Sequence, residues 1–159
     1  MPFGWGAAPI RRARDGTFEV RLEDWERQLL AGLPGQMRDL LDTDDPALER
    51  LYPPAYLTDD EKNEEYRRLM RGDLTASRLG ALDVLEATLG DERLTEEQLG
   101  AWMGAVNDVR LVLGTRLDVT EDLYETGLPD GDPREAAFQL YGYLGYLLES
   151  IVEALASAL

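Results

Sequence analysis

Two arginines stand in the most apolar stretch of a chain that offers few other reactive groups. The run NDVRLVLGTRLDV, residues 107–119, crowds leucines and valines around Gly114 and places Arg110 and Arg116 among them. A guanidinium presents five donors in a planar fork, which matches a carboxylate or a phosphate. Taking it out of water without such a partner costs several kcal/mol. Two arrangements follow. One is a structural clamp: Arg110 lies in the last turn of a helix ending at Gly114, Arg116 lies just beyond it, and acceptors come from Asp118, Glu121, Asp122, Glu149 or Glu153. A cation there complements the partial negative charge of a helix C-terminus. The other is a site that grips an anionic ligand, with the same arginines open to it. The absence of an accompanying nucleophile favours the clamp.

The rest of the residue inventory narrows the chemistry. The chain has no cysteine and no histidine. Disulfides, thiol nucleophiles, thiolate metal sites, imidazole ligands and histidine-based triads are therefore excluded. Carboxylates, hydroxyls, arginines and the single lysine, Lys62, remain. No phosphate-binding glycine loop and no calcium-loop pattern occurs. The acid runs Asp42-Thr43-Asp44-Asp45 and Asp59-Asp60-Glu61 lack the spacing of a wrapped calcium loop and read as helix-start acids. No metal or other cofactor is expected.

Charge points the same way. Thirty-two acids against 16 bases leave a net charge of −16. Such a surface repels phosphate backbones and anionic membranes, so general nucleic-acid binding is disfavoured. The exception is local: Arg11, Arg12, Arg14 and Arg21 make the N-terminal segment basic. These arginines either pair with the domain's own acids or form an interaction surface. Tyr141, Tyr143 and Tyr146 beside Gly142 and Gly145 form a second candidate surface, read as close packing within the chain or across a homodimer through Tyr143 and Tyr146.

These groups need a scaffold, and 159 residues with 44% apolar content suffice to bury one core. The expected fold is mainly α: a single domain over residues 1–159, with a short β-hairpin over about 9–22 and a bundle of five to six helices over 23–159. Asp15-Gly16 predicts a two-residue type I′ turn, with Phe18, Val20 and Leu22 on one face. Trp25, Leu29, Leu33, Met37 and Leu40 or Leu41 mark a helix over 23–41, kinked or split at Gly32-Leu33-Pro34-Gly35. Asp45-Pro46 opens a short helical turn. Thr58 and Glu61 form a capping box for a helix to about Met70, and a separate helix follows over 74–89, ended by Gly90. Thr95 and Gln98 cap a helix to Leu113, and Asp132-Pro133 starts the last one. These two helices are expected at the centre of the bundle. Residues 117–131 form a loop with a helical turn near Thr120. Glu149 and Glu153 interrupt the C-terminal apolar run, so no spanning segment is expected, and the start lacks a signal-peptide apolar stretch. A cytoplasmic protein is expected.

RLYPPAY (50–56), EEYRRL (64–69), WMGAVNDVRLVLGTRLDV (102–119) and YGYLGYLLESIV (141–152) resemble a small actinobacterial family, long classed as a domain of unknown function and known as AosR-like oxidative-stress regulators. The resemblance covers nearly the whole chain. It implies a helical bundle and a regulatory role, since some members are described as redox-sensing transcriptional regulators that form a cysteine disulfide and act with an alternative sigma factor. It also implies gene neighbours for a protease adaptor and cysteine biosynthesis. No thiol can be carried over to a chain without cysteine. The expected function is a non-catalytic cytoplasmic regulator or adaptor that meets a protein partner, such as the transcription machinery, through its acidic surface. The alternatives are an enzyme or small-ligand-binding protein built on carboxylates with Arg110 and Arg116, and direct DNA contact by the hairpin.

Overall fold

In the computed structural model, residues 8–52 and 60–157 are described, with backbone alone at residues 60–63 and 124. The capping box at Thr58 and the Pro53-Pro54-Ala55-Tyr56 stretch lie outside the described residues. Strands β1 (Ile10–Arg12), β2 (Phe18–Val20) and β3 (Arg93–Leu94) form an antiparallel sheet in the order β1-β2-β3. The helices are α1 (Asp24–Ala31), α2 (Leu33–Leu41), α3 (Asp60–Thr88), α4 (Glu96–Leu117), α5 (Glu121–Thr126) and α6 (Glu135–Ala156), with a 3-10 turn at Pro46–Leu51.

The hairpin forms, but not through a two-residue turn. Arg12 pairs with Phe18. Ala13 N donates to Thr17 O at 2.8 Å, and Gly16 N donates to Ala13 O at 3.2 Å. Gly16 sits at φ +89°, whereas Asp15 does not have positive φ. This is a three-residue loop closed by a glycine bulge, and Asp15 serves it by accepting from Thr17 N at 3.0 Å. The third strand was not expected, since two residues between a helix end and a capping box carry no alternation to read. It pairs Phe18 with Leu94 and thereby ties the hairpin to the entry of α4.

The predicted split at Gly32 occurs, with Pro34 in the first turn of α2. The apolar stripe on α1 is shifted by one residue. Trp25 is 51% exposed, while Glu26 and Leu30 are buried. Glu26 faces inward because its carboxylate is satisfied on both oxygens, by Glu23 N at 2.7 Å and by the Tyr143 hydroxyl at 2.9 Å. The two helices expected over 58–70 and 74–89 are one continuous helix, α3. Gly72 weakens a helix by roughly 1 kcal/mol without ending it. Gly90 does not take the left-handed conformation expected of a C-terminal glycine.

The capping box of α4 is formed, with Thr95 N donating to Gln98 Oε1 at 2.9 Å and Gln98 N to Thr95 Oγ1 at 3.1 Å. The helix then runs past Gly114 to Leu117 and ends where Asp118 adopts φ +50°. Arg110 is therefore in its body, two turns from the end. Along α4, Leu99, Trp102, Ala105, Val106, Val109 and Val112 are buried. It packs on α6, α3, β3 and the 3-10 turn, which makes it the axis of the bundle. The last helix lies on α4 and β1 and exposes Val152 at 46%, so it is less enclosed than its composition suggests.

A buried ion pair does exist, between residues the apolar periodicity hid. Asp108 on α4 is buried, and Arg78 Nη1 on α3 reaches its Oδ1 at 2.5 Å. Arg78 Nη2 also donates to the Leu51 carbonyl of the 3-10 turn, and the Tyr52 hydroxyl meets Thr75 Oγ1 at 2.7 Å. Three elements thus converge on one guanidinium. Burial pushes the Asp108 carboxyl above its ordinary range, and the Arg78 hydrogen bond opposes that shift. Removing one partner of a buried pair leaves the other charge stranded, at about 3–5 kcal/mol. Arg78→Met should lose that much stability in denaturant unfolding at neutral pH. With the guanidinium gone, the Asp108 pKa rises further in the folded state. The folded variant then binds more protons than the unfolded one, so its deficit should shrink as pH falls through that raised value.

Candidate functional site

The two helices that carry the sequence candidates cross at a pair of glycines. On α4, a Cβ at Gly114 would lie 3.2 Å from Cε2 of Tyr141. On α6, a Cβ at Gly145 would lie 3.2 Å from Nε of Arg110. Each helix thus inserts one large side chain over the glycine of the other. The two inserted groups also meet, with the Arg110 guanidinium carbon 4.5 Å from the centre of the Tyr141 ring. A cation over an aromatic face is worth about 0.5–2 kcal/mol, more where it is desolvated. Arg110 Nε is buried and makes no hydrogen bond among the described residues. The ring face, not a carboxylate, meets this arginine.

Arg116 behaves differently. Its side chain is 52% exposed, and Nη2 lies 3.3 Å from Asp45 Oδ2. Asp45 already accepts from Ala47 N at 2.8 Å as the cap of the 3-10 turn. That backbone bond, together with Arg116, holds the Asp45 carboxyl below its ordinary range. Asp118 is the left-handed cap of α4, Glu121 sits in the first turn of α5, and Glu149 is exposed on α6. Among the described residues, none of these three forms an ion pair with Arg110 or Arg116; the pairs formed run elsewhere. The expected five-residue constellation is thus two separate contacts, Arg110–Tyr141 and Arg116–Asp45. Asp108, the acid with a buried partner, was legible only as a charged residue in phase with Ala105 and Val112.

Between α2, α4 and α6 lies an open cavity of about 340 Å³. Leu33, Met37, Leu40, Val109, Val112, Leu113 and Leu140 give it an apolar wall, and Gln36, Asp39, Thr43 and Arg116 complete the lining. It holds one carboxylate and one guanidinium, and Arg110 does not line it. Among the described residues, no group of three or more acids is placed to hold a metal ion. No helix is long and apolar enough to cross a membrane among those residues.

The second set of candidates also divides. Arg11, Arg12 and Arg14 are exposed and, with Arg21 and Arg93, line a shallow groove on the hairpin. Arg93 reaches Asp15 at 3.3 Å and Glu19 at 3.6 Å, and Arg21 reaches Glu19 at 3.2 Å. Arg12 donates to the Ser157 carbonyl at 3.0 Å, a cation at the end of α6. Part of the basic patch is thus used internally, and Arg11 and Arg14 point outward. Tyr143, expected on a surface, is 2% exposed. Its hydroxyl is bonded to Glu26, its ring lies 5.7 Å from that of Trp25, and burial pushes its pKa up. Tyr146 is half-buried. A partner cannot reach Tyr143 in this fold, because α1 covers it.

Residues 7–155 match the model of a family described as a domain of unknown function, DUF2017. Among curated relatives, the oxidative stress regulator AosR of Mycobacterium bovis is 30% identical over 94% of this chain and 89% of its own length. The protein of the same name from Mycobacterium tuberculosis gives the same figures. The putative oxidative stress regulator AosR of Mycobacterium leprae is 33% identical over 70% of this chain, which spans 59% of that relative's length. No solved structure matches this one.

The glycine at the crossing is open to test. Gly114→Val sets a branched side chain against the Tyr141 ring, and overpacking of this kind costs about 1–3 kcal/mol. Gly104, with nothing within 4 Å of a built Cβ, is the control on the same helix. Thermal melts should show Gly114→Val well below wild type and Gly104→Ala at or above it.

Proposed function

The chain belongs to the DUF2017 family, and from that premise we propose that it is a non-catalytic regulator in the oxidative-stress response, working in the cytoplasm through protein–protein contacts. The names of the mycobacterial relatives support the regulatory part of this reading. The distribution of charge carries the rest: a net charge of −16 is interrupted by one basic groove on the hairpin. Such polarity steers a complementary partner and speeds encounter at low ionic strength. The partner of the acidic surface is a basic protein face, with the transcription machinery as the first candidate. A chain without cysteine contains no thiol switch. In this reading oxidative stress reaches it through its partner or its abundance.

Deleting the gene should change the transcriptional response to peroxide, and the intact gene should restore it. Affinity capture from the native extract at low salt should retain a defined protein that high salt releases. An unchanged response in the deletion strain, or no specific protein at either salt, would overturn the proposal.

A second reading, small-ligand binding, draws on the cavity beside Arg116. Its volume of about 340 Å³ lies within the range of small-molecule sites, and an apolar wall with one cation suits an amphipathic carboxylate. Octanoate should raise the melting temperature of wild type and leave Arg116→Met unmoved. Equal shifts in both proteins would reject this reading.

A further inference from the structure

The side of α6 that faces away from the bundle carries little charge. Tyr143, Leu144, Leu147, Ser150, Ile151 and Ala154 are the buried residues of this helix. At about 100° per residue, Phe138, Gly142, Gly145, Glu149, Val152 and Ala156 share a sector of about 80° on the opposite side. Their spacing alternates four and three, the heptad spacing of a helix-pairing seam. Only Glu149 among them is charged, in a chain with 30% charged residues. Glu149, Val152 and Ala156 are exposed, Val152 at 46%, and the other three are partly buried.

This stripe complements itself in size and charge when one copy is reversed on another. An antiparallel pair with its two-fold axis at the level of Leu147 sets Phe138 against Ala156, Gly142 against Val152 and Gly145 against Glu149, each twice. In every layer a larger side chain meets a small one. The layer of Gly145 and Glu149 also pairs charge. The Arg110 guanidinium lies over Gly145, with Nε 3.2 Å and Nη2 3.7 Å from a Cβ built there. Among the described residues, neither Arg110 nor Glu149 forms an ion pair. Within one chain the guanidinium is drawn to Tyr141, one turn before Gly145, whereas Glu149 is one turn after it. The reversed copy brings its Glu149 to the level of Gly145, beside that guanidinium. A parallel pair would set Glu149 on Glu149 and glycine on glycine, with like charges and voids in one seam.

We infer that the outward face of α6 is a self-association face, on which a second copy of this chain lies as an antiparallel helix pair with Arg110 and Glu149 meeting across it in both directions. The seam is one helix wide, so the dimer is concentration-dependent and not obligate. Tyr143, buried beneath α1, takes no part in it.

The lack of native cysteine makes introduced thiols unambiguous reporters of the register. Across the seam, position 142 of one copy adjoins position 152 of the other, while the two copies of either position stand about 15 Å apart along the helices. A disulfide needs Cα atoms within about 7 Å. Oxidising a mixture of the Gly142→Cys and Val152→Cys proteins should therefore give a cross-linked dimer that neither gives alone. Sedimentation across a concentration series should show a monomer–dimer equilibrium. Glu149→Arg sets an arginine beside Arg110 of the second copy and should weaken it roughly tenfold or more. A Cβ at Gly142 has open space in the monomer, so Gly142→Val should keep the near-ultraviolet circular dichroism of the core yet weaken the dimer, where it meets Val152. Adding Val152→Ala should restore association. A wild type that stays monomeric up to about 1 mM, a cross-link formed by either cysteine protein alone but not by the mixture, or a Gly142→Val protein that associates as wild type does would each overturn the inference.

Discussion

The bundle depends on how closely α4 and α6 approach, and two missing side chains set that distance. Gly114 receives the Tyr141 ring and Gly145 receives the Arg110 guanidinium, each with the space of a single Cβ to spare or less. Because the inserted groups stack on one another, the two notches lock in register. A guanidinium suits this role: its flat face tolerates an aromatic ring, and its aliphatic stem packs like a hydrophobe. The arginine that looked misplaced among leucines is a packing element with a charged end.

Around that crossing, β1, α1, α3 and the 3-10 turn are each fastened to a neighbour by a specific polar bond. The Ser150 hydroxyl of α6 accepts from Ile10 N, which holds β1. Tyr143 holds α1 through Glu26. On α4, Trp102 Nε1 donates to Thr88 Oγ1 at 2.7 Å, and Thr88 in turn donates to the Val84 carbonyl at 2.6 Å, which holds α3 near its end. Asp108 and Arg78 hold α3 again and the 3-10 turn with it. Apolar burial supplies the driving force but little direction. These buried bonds have one geometry each, and misplacing an element strands a polar group at a cost of about 1–3 kcal/mol.

The titratable groups that reach the core, Glu26, Asp108 and Tyr143, are engaged in structural contacts, while the hairpin carries arginines that are exposed. The scaffold is held by these contacts without any cysteine.

Helical class, the hairpin and the cap at Thr95 were legible in the sequence. They rest on local rules: periodicity, side-chain competition for free backbone amides, and the stiffness of proline. The positions that failed are those where a distant group decides. Glu26 turns inward and Trp25 outward because a tyrosine 117 residues away supplies a donor. α4 runs on past Gly114, which receives the Tyr141 ring of α6, to a left-handed cap at Asp118, and the continuous helix carries Arg110 away from the helix end where a carboxylate was expected. Asp108 finds its partner 30 residues upstream, and Arg116 finds Asp45, 71 residues away, before the acids next to it. Sequence determines which segments become helices because those bonds close within four residues. Which charged side chain is buried, and against what, depends on contacts across the bundle, and only the tertiary structure brings those groups together.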